Sequence, residues 1–184
     1  MRLRKKTKLK RLFPFYEVPL ACGAATEIGC GSRVKPLFIE AAKYPEIKET
    51  WLKRSGTVIA FVWNDGGADE KLSEKLYKQY NIDAKLISDQ TKLKELLLSF
   101  NGNDKWYKGN DVDQLSIEEA GVIAKTTIDQ ILKAKLLSES EAKAIQYDVK
   151  EYLKGELVKV RNYDELKSEE TDRKWKQDTF QIFV

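Results

Sequence analysis

Gly56-Thr57-Val58-Ile59-Ala60-Phe61-Val62-Trp63 is the stretch on which the fold turns. The run is β-branched and aromatic. Gly56 bounds it on one side and Asn64-Asp65-Gly66-Gly67 on the other. Its apolar character is continuous rather than alternating. Such a strand is buried on both faces, so it belongs in the middle of a sheet covered by helices on both sides.

Toward the C-terminus, Leu72, Leu76 and Tyr80 step by four and predict a helix from about Ala68 to Tyr80, with Asn81 as its C-cap. Residues 82–87 read as a shorter strand. Ser88 or Asp89 then caps a helix whose face is Leu93, Leu96, Leu97 and Phe100. Toward the N-terminus, Leu12, Phe13, Phe15, Tyr16, Val18 and Leu20 read as a first strand, limited to an edge or to short pieces by Pro14 and Pro19. Val34, Leu37, Phe38, Ala41 and Ala42 predict a helix with Pro36 in its first turn. Pro45 stops it. A second helical piece is expected to run to about Lys53, because Ile47 and Trp51 lie four apart.

Residues 12–102 thus alternate strand and helix. This predicts an α/β domain with a small parallel or mixed sheet and helices on both faces, a three-layer arrangement. Residues 103–114 are polar around Trp106 and Tyr107 and read as a linker loop. Residues 115–184 read as a helical extension packed on that domain. Ser116-Ile117-Glu118-Glu119 and Ser138-Glu139-Ser140-Glu141 are capping boxes that open two amphipathic helices, a helical hairpin. Glu156–Arg161 is expected as a short strand. The apolar end, Thr179–Val184, is β-prone and expected to be tucked into the fold.

Composition narrows the chemistry. The chain has 184 residues, 42% hydrophobic and 34% charged, enough for a core without disulfide staples. There is no histidine. That excludes Ser–His–Asp and Cys–His nucleophile systems, and any histidine-ligated zinc or haem. Two cysteines cannot supply a four-cysteine metal site. The net charge of +4 is concentrated in a basic arm, residues 1–11, which carries Arg2, Arg4, Lys5, Lys6, Lys8, Lys10 and Arg11. The remainder is slightly acidic, and no aromatic residues interleave with the arm's charges. Both facts argue against a nucleic-acid partner. The arm reads as a solvated tail or lysine-protected edge, or as an anchor for phosphates or an acidic membrane face. No apolar run approaches the roughly 18–20 residues of a membrane span. Leu20-Ala21-Cys22 has some likeness to a lipoprotein cleavage site, but the apolar region before it is short and holds Glu17 and two prolines. The expectation is a cytoplasmic chain with reduced thiols.

Reactive groups concentrate in Cys22-Gly23-Ala24-Ala25-Thr26-Glu27-Ile28-Gly29-Cys30-Gly31-Ser32-Arg33. Cys30 precedes a helix, and Arg33 is close in sequence. Both features favour thiolate, with Cys30 as nucleophile, Cys22 as its partner and Arg33 as the stabilising charge. A two-sulfur ligand set for a soft metal ion is the related possibility. In the alternative, the cysteines are buried small hydrophobes. Gly29, Gly31 and Ser32 at the same helix start could present N–H groups to a phosphate or carboxylate. A dinucleotide fingerprint would need a small residue where Val34 stands. No bound cofactor is expected.

Two further clusters carry acidic residues. Asn64–Gly67 with Asp69 and Glu70 sits at the end of the central strand, where a divalent cation or a plain helix cap is expected. Asp104, Asp111 and Asp113 surround Trp106 and Tyr107, a pair that could stack on a ligand or anchor the hairpin.

The apolar strand Leu12–Leu20, the cysteines, the helix Val34–Tyr44 and the buried strand Thr57–Trp63 resemble the first half of thioredoxin-like proteins. The resemblance is at the level of the fold, and the family's disulfide exchange is not carried over from it. The cysteines here have seven residues between them, not two. The four prolines, at 14, 19, 36 and 45, leave none for the family's cis-proline position near 80–82. Two functions remain open at this point. One is a thiol-based redox or soft-metal protein using Cys22 and Cys30. The other is a non-catalytic α/β protein-interaction module with structural cysteines, meeting its partner through the helical hairpin.

Overall fold

The computed structural model describes residues 13–64, 67–102, 104–161, 164–165 and 168–183. The basic arm lies outside the described residues. The described elements run β1 (Phe15–Glu17), α1 (Gly31–Ala41), β2 (Ile47–Lys53), β3 (Val58–Trp63), α2 (Glu70–Gln79), β4 (Lys85–Leu86), α3 (Gln90–Asn101), β5 (Trp106–Lys108), α4 (Val112–Lys133), α5 (Glu139–Lys159) and α6 (Glu169–Ile182).

The five strands form one sheet in the order β4-β1-β3-β2-β5. Every pairing is antiparallel, which corrects the parallel or mixed sheet expected from strand–helix alternation. The cause is β2. Ile47–Lys53 was expected to be helical from the four-residue step between Ile47 and Trp51. It is instead the strand that pairs with β3, Trp51 opposite Ala60 and Leu52 opposite Ile59. Register shifts between Ile47 and Glu49. Beyond that irregularity Thr50 and Leu52 turn inward, while Glu49 and Trp51 face the other side, the two-residue alternation of a strand. The turn Arg54–Thr57 joins β2 directly to β3, and a direct turn can only make an antiparallel pair.

The linker reading of 103–114 also changes. Trp106–Lys108 is an edge strand paired with β2. At the other edge, the strand expected over 82–87 shortens to Lys85–Leu86.

The reading of β3 holds: all six of its residues are buried. Ile59, Phe61 and Trp63 join Tyr16, Leu52 and Tyr107 beneath Val34, Leu37 and Phe38 of α1, Leu76 and Tyr77 of α2 and Leu115 of α4. Val58 and Ala60 join Phe15 on the opposite face, where Leu93, Leu96, Leu97 and Phe100 of α3 cover them with Trp51 and Trp106. Helices therefore lie on both faces of an antiparallel sheet. Continuous apolarity reported two-sided burial, not strand direction.

Local helix signals are mostly obeyed. The Asp69 carboxylate accepts from the N–H groups of Lys71 and Leu72, and Asp89 accepts from Lys92. Asn81, at φ 50°, takes the left-handed conformation that ends α2. Helix α1 begins at Gly31, so Pro36 sits in its second turn rather than its first. Ser138 and Glu141 form a complete capping box at the start of α5. The box expected at Ser116–Glu119 does not form a cap, because α4 already begins at Val112. Residues 156–159 continue α5 instead of forming a strand, and residues up to Ile182 are helical rather than extended.

Helices α4 and α5 make an antiparallel hairpin whose seam is Ala120, Ala124, Val149, Leu153 and Leu157, with Trp175, Ile182 and Phe183 from the α6 end packed against it. Among the described residues, no helix is long and apolar enough to cross a membrane.

Candidate functional site

The chain leaves β1 alongside the start of β3. Val18 N–H donates to Thr57 O and Leu20 N–H to Gly56 O, both at 3.0 Å. It then folds back on itself. Ala21 and Gly29 form an antiparallel bridge, Cys22 N–H donates to Ile28 O at 2.7 Å, and Cys30 N–H donates to Leu20 O at 2.8 Å. With Ala21 paired to Gly29, the residues on either side of them share the opposite face. Leu20, Cys22 and Ile28 are buried there, and Cys30 is half-buried.

The glycines serve close chain approach. A β-carbon on Gly29 would lie 2.7 Å from the Gly56 Cα, where the loop crosses the β2–β3 turn. One on Gly31 would lie 2.9 Å from the Ser116 backbone nitrogen of α4.

Into this corner α4 inserts Glu119, only 1% exposed. Its carboxylate accepts the Gly31 N–H at 2.9 Å. Burial raises its pKa above the ordinary value. Hydrogen bonds from the Cys22 thiol, the Gly31 N–H and the Cys30 thiol oppose that rise without cancelling it. The thiols respond in kind. Burial, then the charge of Glu119, pushes Cys22 up to about 11. The same two causes, in the same order, push Cys30 far above the ordinary thiol range. The cysteines are free, and both turn to the same carboxylate instead of forming a bond with each other.

The Arg33 guanidinium donates to Pro19 O at 3.3 Å, and what Arg33 offers Cys30 is its backbone N–H. Ser32 is fully buried and its hydroxyl donates to Leu157 O at 3.2 Å. Lys35, 2% exposed, pairs with Asp113 at 2.5 Å and donates to Leu157 O and Val158 O. One turn of α1 thereby holds the start of α4 and the end of α5. Burial lowers the Lys35 pKa, and the bond to Asp113 partly restores it.

Glu118, next to Glu119, faces outward. It accepts from Arg54 Nε and Lys105 Nζ, each at 2.5 Å, and from the Tyr107 hydroxyl. Burial would raise its pKa, but the bonds from Lys105, Tyr107 and Arg54 prevail and hold it at about 2. Two adjacent acids of one helix are therefore shifted in opposite directions.

The sequence reading assigned Glu119 to a helix cap and missed it as a site residue. The available signal was a carboxylate four residues from Leu115 and Ile123 on an otherwise apolar helical stripe.

The other candidates are dispersed or used structurally. Asn64 donates to Pro45 O at 2.5 Å and Asp69 caps α2, beside a groove of about 960 Å³. Asp65 and Gly66 lie outside the described residues. Asp104 pairs with Lys53 at 3.2 Å, and Asp113 pairs with Lys35 and Arg161. Trp106 joins the α3 side of the sheet, while Tyr107 anchors α4 through Glu118. Among the described residues, no group of three or more acidic or thiol side chains is arranged to hold a metal ion.

What the arrangement does is tie the start of α1 to α4 through one buried carboxyl beside the cysteine loop. Comparison with protein-family models, with curated proteins and with solved structures finds no match to this chain.

Proposed function

We propose that this chain is a non-catalytic α/β protein-interaction module whose cysteines are structural and whose C-terminal hairpin meets the partner. One observation carries the reading. Both thiols are held against the buried Glu119 carboxyl, which is the reverse of the cationic surroundings that generate a thiolate. The helix start that could have taken an external anion is occupied by the protein's own carboxylate. At its tip the hairpin presents Lys133, Lys135 and Leu136, the last 73% exposed. That combination suits an acidic protein surface with an apolar notch.

The test compares one triple and one double variant in a partner cross-linking assay. A photo-crosslinker is placed at Ala134, beside Leu136. The expected result is a specific adduct that is lost on K133E/K135E/L136E and kept on C22A/C30A. Loss of function on C22A/C30A in a stably folded protein, with the adduct unaffected by the tip variant, would return the assignment to thiol chemistry.

A further inference from the structure

The hairpin tip projects from the fold as a basic, apolar knob. No residue between Ile128 and Ala142 is buried, and Lys133, Ala134, Lys135 and Leu136 are all exposed. Lys135, just past the end of α4, has φ 57°. Glycine or asparagine ordinarily supplies that left-handed conformation after a helix. A lysine is held there under strain, and such positions gather where a side chain is used.

The groove of about 960 Å³ beside α2 has the complementary character. Pro14, Pro45, Ala68 and Leu86 give it apolar walls. Leu86 lies on the edge strand β4 and is 47% exposed. The charged residues described along it are Glu46, Asp69 and Glu70, against Lys71. Asp69 is engaged in capping α2. Glu46 and Glu70, like Lys133 and Lys135, have no ion-pair partner among the described residues. Leu86 and Leu136 are two of the six large apolar side chains that the described residues expose, and one contact would cover both. Knob and groove are both open in a single molecule, so a second copy is what joins them.

Resting on the reading of the hairpin tip as the partner surface, we propose that its partner is a second copy of this chain. Leu136 of one copy sits against Leu86 and the proline walls of the next, with Lys133 and Lys135 facing Glu46 and Glu70. Knob and groove are different surfaces, so the copies join head to tail. The apolar part of the contact is small, and exposed ion pairs each add little and are screened by salt. The association is therefore weak and salt-sensitive.

Sedimentation equilibrium of the full chain tests this. The weight-average mass is expected to rise above that of one chain between about 10 μM and about 1 mM at low salt. Raising salt to about 0.5 M should weaken the association about threefold or more. K133E/K135E and E46K/E70K should each abolish the rise alone. An equal mixture of the two should restore it, because each reversed surface again meets its opposite. All four positions are exposed, and circular dichroism checks that both variants fold. A measurement on the unaltered chain stands beside the variants: its concentration-dependent amide shifts should be confined to residues 45–46, 68–71, 85–86 and 131–138. Shifts centred elsewhere overturn the proposal. So does a chain that stays monomeric to about 1 mM at low salt, a variant that associates as the original does, or a mixture that fails to recover. If the chain stays monomeric while a photo-crosslinker at Ala134 captures a different protein, self-docking is overturned and the hairpin reading stands. If neither association nor an Ala134 adduct occurs, both are overturned.

Discussion

Glu119 of α4 accepts the Gly31 N–H of α1 at 2.9 Å, a bond across 88 positions of sequence that closes the sheet against the helical hairpin. The bond gives the helix start its acceptor from within the chain. Glu119→Ala removes that acceptor and leaves a void, and is expected to cost about 2–4 kcal/mol. Glu119→Gln keeps an oxygen for Gly31 and should cost less than about half of that. Urea denaturation of the two variants at pH 7 checks the order.

The protonation of Glu119 sets a pH dependence with a definite sign. Its folded pKa lies above the ordinary 4.5, so the folded state prefers the protonated form. Its contribution is complete below that ordinary value. As pH rises from there to the raised value, the unfolded chain ionises first and stability is lost. Glu119→Gln should flatten this part of the stability–pH curve, measured by thermal melts between about pH 4 and pH 8.

The thiols follow the same sign at higher pH. With Cys22 raised to about 11, only on the order of one molecule in a thousand carries the thiolate at pH 8. Iodoacetamide should therefore label native protein at least about 100-fold more slowly than denatured protein. Stability should fall as pH rises past about 9, where unfolded thiols ionise and folded ones do not. Mass spectrometry of labelled native and urea-unfolded samples reads the first effect, and urea melts from pH 8 upward read the second. Rapid labelling of Cys30 at pH 7 would overturn the structural role given to it.

Glu118 behaves in the opposite way. Held at about 2 by Lys105, Tyr107 and Arg54 against the effect of burial, it contributes stability that is present above the ordinary 4.5. That contribution is lost as pH falls toward 2. The site is partly open to solvent, so the amount is on the order of 1 kcal/mol. Glu118→Gln should destabilise the protein at pH 7 and have almost no effect near pH 2, a difference that acid titration followed by circular dichroism would detect.

Two glycines separate conformational need from coincidence. Gly56 has φ 71°, and a β-carbon there would press on Leu20 O and lie 2.6 Å from the Gly29 Cα. Gly56→Ala should cost about 3 kcal/mol or prevent folding. Gly23 has nothing within 4 Å of the same position. Gly23→Ala should leave the melting temperature unchanged or slightly raised, since only the unfolded chain loses freedom.

Parts of this architecture were legible because the signal is local. Residues 58–63 announced burial on both faces, and Asp69, Asp89 and Ser138 announced helix starts within three residues of themselves. Strand β2 was not legible, because Ile47 and Trp51 satisfy a helical step as well as a strand interrupted by a register shift. Strand β5 has only three residues, too few to show a period. In the cysteine loop, sequence spacing placed both thiols near a helix start but could not show that Glu119, from a helix far along the chain, arrives beside them.

The sequence by itself determined that residues 58–63 are buried on both faces, where the helices capped by Asp89 and Ser138 begin, and which catalytic systems lie outside this chain's reach. Those properties depend on residue type and on spacing within a turn or two. Only the tertiary structure decided that the sheet is antiparallel, that Gly29 and Gly31 are points of backbone contact, and that Glu119 faces both thiols. Each depends on what arrives from far along the chain. A thiol's acidity follows its surroundings, and here burial comes first and then a carboxyl from a helix that begins some eighty residues later.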